Sequence, residues 1–444
     1  MGFRELFSLL QDTLYGTVLP LLLMGGGVFF LVRLRFFFLR HPVRIARILF
    51  KKEKDGASPL RATVMALAGT LGVGNISGVA LALFSGGAGA LFWMVTAAFF
   101  AMVLKYAEVT LALRFRKDGG DGSAMQYMER GIGGKRGKRL ATVFAVLCLF
   151  ATFTVGSLVQ SNAVAEATGV SLSLPSPLVG AALSIFAAFV VFGGVKKISA
   201  ATAALIPPAT LLYVLFCLFV ILRNLSGIPA VCAEIFASAF EPRAAEGGIL
   251  GFFFSRAVRF GTTRGLLSNE AGCGTAPMAH ATSGSRIPAR QGLCGILEVF
   301  VDTVLLCSLT GFAVLLALPV IPDAGGIGIV IAAFSAEMGG VAPLLVSLLV
   351  TVFATATVLC WAYYGEAALR YLSPSLRLQK LYRVLFCLSL SVGAILTVDA
   401  VFALTDLVLA AMTVLNVLVL LRLSPLVKSE TDVLFTLDDN GALW

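Results

Sequence analysis

The segment Ala68-Gly69-Thr70-Leu71-Gly72-Val73-Gly74-Asn75-Ile76-Ser77-Gly78 decides how the rest of the chain is read. It lies inside an apolar run over about residues 62–84, long enough to cross a bilayer. Its glycines suit a continuous helix poorly, since each weakens a helix interior by about 1 kcal/mol relative to alanine. A break frees backbone N–H and C=O groups, and at membrane depth these are tolerated only inside protein or beside a wet cavity. The stretch admits two readings: close helix packing through Gly74 and Gly78, or a break that builds a site.

The chain around it is a membrane protein by composition. Of 444 residues, 58% are hydrophobic and 13% charged, and the apolar residues come in runs of membrane-spanning length. The alternation of an outer-membrane barrel is missing. Eleven spans are expected, at about 15–33, 61–84, 87–113, 140–168, 176–195, 199–222, 248–283, 289–319, 341–369, 381–398 and 401–422. The first reads as a retained helix, since no small-residue cleavage site precedes Arg33.

Lys and Arg set the expected orientation. Connections 33–61 and 114–139 carry nine and eight of them, and 370–383 carries four. The alternate connections at 169–175 and 320–340 carry none, and 223–247 carries two, Arg223 and Arg243. This places the N-terminus outside and the C-terminus in the cytoplasm of a plasma (inner) membrane, as a multi-pass protein. The net charge of +10 is then a topology signal with some contact to anionic lipid, and no nucleic-acid partner or obligate protein partner is expected. The cysteines sit mostly in apolar runs, as at Cys148, Cys217, Cys307 and Cys387, with no CxxC pair, and read as core residues. No Walker A pattern, HExxH or GxSxG occurs, which disfavours an ATP-driven pump and an enzyme.

A second unusual stretch, Gly265-Leu-Leu-Ser-Asn-Glu-Ala-Gly-Cys-Gly-Thr-Ala-Pro277, interrupts span 248–283. With the first span set aside, ten remain, and the two glycine-rich spans each open a group of five. Paired interrupted spans at corresponding positions point to a transporter site between inverted repeats. The expected architecture is an all-α polytopic membrane protein: about 11 transmembrane helices, a 5+5 inverted-repeat core with two discontinuous helices, and one extra N-terminal helix. Its divisions are 1–60 (extra helix and basic cytoplasmic loop), 61–222 (first repeat), 223–247 (external connection), 248–423 (second repeat) and 424–444 (cytoplasmic tail). Half-helix N-termini would face an anionic group and freed carbonyls a cation, so a small zwitterion plus a monovalent cation is the implied cargo. Residues 223–247, with Glu234, Glu241, Arg243 and Glu246, form either an external amphipathic helix or a solvated loop.

The residues also resemble a known family. Gly69-Thr-Leu-Gly-Val-Gly-Asn-Ile-Ser-Gly-Val79, Lys105-Tyr-Ala-Glu-Val-Thr-Leu-Ala112, Val159-Gln-Ser-Asn162, Arg264-Gly-Leu-Leu-Ser-Asn-Glu-Ala-Gly272 and Trp361-Ala-Tyr-Tyr-Gly-Glu366 are similar to motifs of the alanine/glycine:cation symporters. That family has the inverted-repeat fold of the amino-acid/polyamine superfamily and uses sodium as its coupling ion, with no other cofactor. The resemblance implies import of alanine or glycine with sodium by alternating access; a proton-coupled or uncoupled carrier and a channel-like facilitator are the alternatives. It implies substrate contacts at Gly72, Val73, Gly74, Asn75, Gln160, Ser268, Asn269, Gly272, Thr357 and Trp361. Carried over by position, the sodium ligands are the carbonyls of Ala68 and Leu71 and the hydroxyl of Thr357. The chain departs from the family at Val73, where a hydroxyl is usual, at Ala356 in place of one of a Ser/Thr pair, and at Leu409, Ala410 and Leu415.

Several of these residues carry a structural alternative. Gln160 and Asn162 suit an interhelical hydrogen bond as well as a ligand, Asn75, Ser268 and Asn269 suit caps of the breaks, and Trp361 suits packing as well as gating. Lys105 and Glu108, three apart, read as a structural pair. Glu270, Asp302 and Asp406 are intramembrane acids and functional candidates by default, with Asp302 and Asp406 leaning structural.

Overall fold

The computed structural model describes residues 13–50, 59–116, 122–240 and 256–440, which contain helices and no strand. Eight helices are long and apolar enough to cross a membrane, and a pair bent by 57° at Leu71–Gly72 makes a ninth. In chain order the spans are α1 (Leu14–Arg33), the bent pair α2 (Pro59–Thr70) and α3 (Ser77–Gly86), α4 (Gly89–Arg114), α5 (Gly134–Leu172), α6 (Ser176–Val191) and α7 (Gly194–Arg223). After α8 (Ile228–Ala239) come the interrupted α9 (Arg256–Asn269) and α10 (Pro277–His280), then α11 (Pro288–Ala317), α12 (Gly325–Met338), α13 (Ala342–Leu372), α14 (Leu376–Ile395) and α15 (Val398–Asp439). The two expected spans outside the nine are the 16-residue α6 and the interrupted α9–α10.

The two groups of five correspond as α2–α3 with α9–α10, α4 with α11, α5 with α13, α6 with α14 and α7 with α15. Elements near a two-fold axis must touch their own mates. Here α4 packs along α11, α5 along α13 and α6 along α14, while α3 packs along α9. The interrupted helices therefore meet at the centre. The extra helix α1 lies outside, against α4 and α15. Its approach is close because Gly27 has no side chain: a Cβ there would stand 2.5 Å from the Phe100 Cβ. Small residues allow such crossings in a medium that offers no hydrophobic drive between helices.

Three features differ from the sequence reading. Connection 320–340 holds α12, whose Ile327, Ile329, Val330 and Phe334 are buried against α3, α11 and α13. Fourteen residues are too short to register as a span, and their lack of Lys and Arg reads as a topology signal alone. The last span and the tail are one helix, α15, running through Pro425 to Asp439. Arg44 from the first basic connection holds its end, 2.5 Å from Asp438 and 2.6 Å from Asp439. Third, Lys105 does not pair with Glu108. It bonds to Glu298 of α11 at 3.4 Å, and His280 Nε2 lies 2.8 Å from the other oxygen of Glu298. The cause is tertiary: α11 supplies a carboxylate across the α4 face that carries Lys105, while Glu108 turns toward the second break.

In connection 223–247, α8 is a helix that buries Val231, Ile235 and Ala239 at four-residue spacing. Trp93 of α4 donates to its Ala239 carbonyl at 3.0 Å, and Glu234 faces outward. Residues 241–247, with Glu241, Arg243 and Glu246, lie outside the described residues, as does 248–255 of the seventh expected span.

Candidate functional site

The first break begins where the helix ladder fails. In a continuous helix the Gly72 N–H would donate to the Ala68 carbonyl; instead it donates to Thr70 O at 2.7 Å. The freed Ala68 carbonyl accepts the Thr357 hydroxyl of α13 at 3.0 Å. Two of the three expected sodium ligands thus touch, and Leu71, the third, is buried beside them. Gly72 sits in this angle with an extended backbone. A Cβ on it would stand 2.8 Å from Thr357 Oγ1 and 2.9 Å from Gln160 Oε1. Gln160 also accepts from the Val73 N–H at 3.4 Å and donates to Val155 O at 3.1 Å. Ala68, Leu71, Gly72, Val73, Gln160 and Thr357 therefore form one cluster. Asn162 stands apart, donating to the carbonyls of Gly393 and Leu396.

The second cluster joins the two breaks. A Cβ on Gly74 would stand 3.0 Å from the Ser268 Cα, so the two interrupted helices touch backbone to backbone. Asp302 of α11 bridges them: Asn75 Nδ2 donates to its Oδ1 at 2.8 Å and Ser268 Oγ to its Oδ2 at 2.8 Å. Thr303 Oγ1 donates to Oδ2 at 2.6 Å. Asn269 turns aside as a cap, accepting from the Ala271 N–H at 3.0 Å and donating to Thr303 at 3.1 Å.

The second break itself is held from behind. Glu270 takes a left-handed backbone at φ 51° and accepts from Thr275 at 2.7 Å and from the Trp361 indole at 3.0 Å. Trp361 is fully buried and packs on Gly156. Glu108 accepts the Gly274 N–H at 2.9 Å, and Asn416 donates to both Glu108 and the Gly272 carbonyl. Gly272, at φ 86°, faces Leu23, Val417 and Thr413 and not the Gly72 cluster. Of the expected contact residues it is the one turned toward α1 and α15.

A gap at the first break, too narrow in this conformation to hold a water molecule, is lined by Leu71, Gly72, Asn75, Tyr213, Leu306 and Phe353. Tyr213 OH lies 2.6 Å from Thr310 Oγ1, which donates to the Asn75 carbonyl at 2.9 Å. Tyr213, Leu306 and Phe353 were not legible as site residues, and the bridging Asp302 was legible only as an intramembrane acid leaning structural. Tyr213 carried a usable signal, as a hydroxyl within an otherwise apolar span. Two other determinants carried none: wide π-helical turns at Thr154–Val159 and Phe300–Cys307 end beside Gln160 and contain Asp302. Such turns recur at functional positions because they re-aim the residues that follow.

Comparison with known proteins gives the family and the fold. Residues 2–441 match the model of the sodium:alanine symporter family. The sodium/alanine symporter AgcS of Methanococcus maripaludis is 36% identical, the match covering 100% of this chain and 99% of that protein. The amino-acid carrier protein AlsT of Bacillus subtilis is 33% identical over 95% of this chain and 90% of its own length. Among solved structures, MhsT in complex with L-phenylalanine superposes with a TM-score of 0.57 at 15% identity, covering 86% of this chain and 99% of MhsT. A manganese transporter of Eremococcus coleocola gives 0.54 at 12% identity, covering 80% of this chain and 75% of that one. These two likenesses are of fold, and they match the interrupted, inverted five-helix groups described above. With two broken helices meeting at a closed polar centre and a family match over nearly its full length, the chain is a multi-pass membrane transporter of the sodium:alanine symporter family.

Proposed function

We propose that this transporter carries a small neutral amino acid, alanine or glycine, together with sodium by alternating access. The observation that carries the reading is the contact between the freed Ala68 carbonyl and Thr357, beside the gap at the first break. A carbonyl released from its helix beside a buried hydroxyl is the kind of oxygen pair that inverted-repeat transporters offer a monovalent cation. The bulk of Tyr213, Leu306 and Phe353 around the gap at the first break suits a ligand with little or no side chain. The name of the relative AgcS, a sodium/alanine symporter, supports the same cargo. In proteoliposomes, alanine or glycine uptake should rise steeply with an imposed inward sodium gradient and fall to the leak rate with choline. Uptake indifferent to sodium but driven by a proton gradient would favour the proton-coupled carrier, and uptake indifferent to both a facilitator.

The orientation is proposed on the distribution of Lys and Arg, with the N-terminus outside and the C-terminus in the cytoplasm. On the basic side a cavity of about 420 Å³, lined by Ser123, Gln126, Glu129, Lys138, Tyr363 and Arg370 among others, supports a release route to the cytoplasm. Tyr363 reaches from it to the Met278 carbonyl of α10 at 3.4 Å. Cysteines introduced at Asp323 and Lys135, both exposed, test the orientation in a Cys232→Ser background. A membrane-impermeant thiol reagent should label position 323 in intact cells and position 135 only after permeabilisation; the reverse pattern would invert the topology.

A further inference from the structure

A cleft of about 640 Å³ opens where the start of α5 meets α15, with Lys135 and Arg136 on one side and Arg422, Leu423 and Leu426 on the other. Lys135, Arg136 and Arg422 are all exposed. Among the described residues no acid lines the cleft, and none forms an ion pair with any of the three. The acids of α15 are engaged elsewhere, Asp406 with Arg264, Glu430 with Arg114, and Asp438 and Asp439 with Arg44. A cleft lined by one sign of charge concentrates the opposite sign.

A second observation comes from the helix faces that leave the cleft. Arg136 and Arg139 continue, at helical spacing, an exposed face of α5 made by Val143, Val146 and Phe150. On α15, Arg422 lies one turn beyond the exposed Leu418. Each face is therefore basic at the cleft and apolar along the span that leads away from it. A soluble anion needs the charge and has no use for the apolar face. A phospholipid needs both in this order, an anionic headgroup at the surface and acyl chains beneath it. The cleft also lies on the side of the bundle that collects Lys and Arg, where basic side chains meet anionic lipid.

We propose that this cleft binds the headgroup of one anionic phospholipid, its phosphate held by Lys135, Arg136 and Arg422 and its chains lying along the apolar faces of α5 and α15. The site is separate from the cargo site and stands whichever ion drives transport. A headgroup held there ties together the ends of two helices that both reach the interrupted centre. Helix α5 carries Gln160, which accepts from the Val73 N–H at the first break. Helix α15 carries Asn416, which donates to the Gly272 carbonyl at the second. The lipid thus braces, from the membrane surface, the scaffold behind both breaks.

The test is native mass spectrometry of the purified full-length protein in detergent, titrated with phosphatidylglycerol or with phosphatidylcholine of the same chains. One phosphatidylglycerol should be retained at concentrations where phosphatidylcholine is not. Arg136→Gln and Arg422→Gln should each weaken that retention about fivefold, and the two together about thirtyfold, at the usual worth of a basic residue facing anionic lipid. Lys135→Gln, a single change at an exposed position, preserves the test if the double variant does not fold. Arg377→Gln combined with Lys380→Gln removes two exposed charges from another basic connection and should leave retention unchanged. Equal retention of the two lipids, unchanged retention in the cleft variants, or an equal loss in the control pair overturns the proposal. A thermal shift from inorganic phosphate or glycerol phosphate as large as that from phosphatidylglycerol also overturns it, since the site would then serve a soluble anion.

Discussion

Gly72→Leu is expected to abolish amino-acid uptake while leaving the protein folded and inserted. The groups that would have to yield are Thr357 Oγ1 and Gln160 Oε1, at 2.8 and 2.9 Å from the new Cβ. Both are ends of side chains, so the fold can absorb the change. The two polar groups assigned to cargo cannot, because their positions are the binding geometry. Overpacking of this kind costs about 1–3 kcal/mol, roughly ten- to hundredfold in affinity. Gly272→Leu provides the contrast. Its backbone is left-handed at φ 86° and its neighbours are Leu23 and Val417, so a side chain there strains the second break and the packing of α1. Lower thermal stability, with binding retained in the surviving fraction, is the expected outcome. Substrate-induced thermal shifts and uptake measured on both variants separate the cases. Normal transport by Gly72→Leu would place the cargo elsewhere.

Thr357→Ala should raise the sodium concentration needed for half-maximal uptake by about ten- to hundredfold, the worth of one hydrogen-bonding group to a charged partner. The Thr357 hydroxyl meets the Ala68 carbonyl at 3.0 Å, and without it that carbonyl has no side-chain oxygen beside it to share an ion. Ala356, fully buried one residue earlier, contributes a methyl group where the resemblance leads us to expect a hydroxyl. Ala356→Ser is expected to move the curve the other way. The measurement is initial uptake rate against sodium concentration for the three proteins, with lithium and a proton gradient as controls. A sodium curve unchanged in Thr357→Ala would remove the ion from this position.

Nine of the expected spans, the two breaks and their matched places were legible because hydropathy and glycine content are local properties of the chain. An apolar run must cross or be buried, and a glycine-rich run cannot hold a straight helix, whatever surrounds it. The Gly72, Gln160 and Thr357 cluster was reachable through motifs, since each residue sits in a distinctive stretch. What the sequence could not show was partnership. Asp302 meets Asn75 across 227 residues and Ser268 across 34, and Lys105 leaves Glu108, three residues away, for Glu298 at a separation of 193. Those choices depend on how helices from the two repeats face one another and on π-helical turns that carry no mark in composition. Gly272 shows the same limit, since its motif placed it in the second break and only the packing of α1 and α15 decided which way it faced. By itself the sequence determined that the chain crosses the membrane and where it breaks, because burial and backbone freedom are set residue by residue. Only the tertiary structure decided which polar groups share the break, because inside a membrane each must find its partner on another helix.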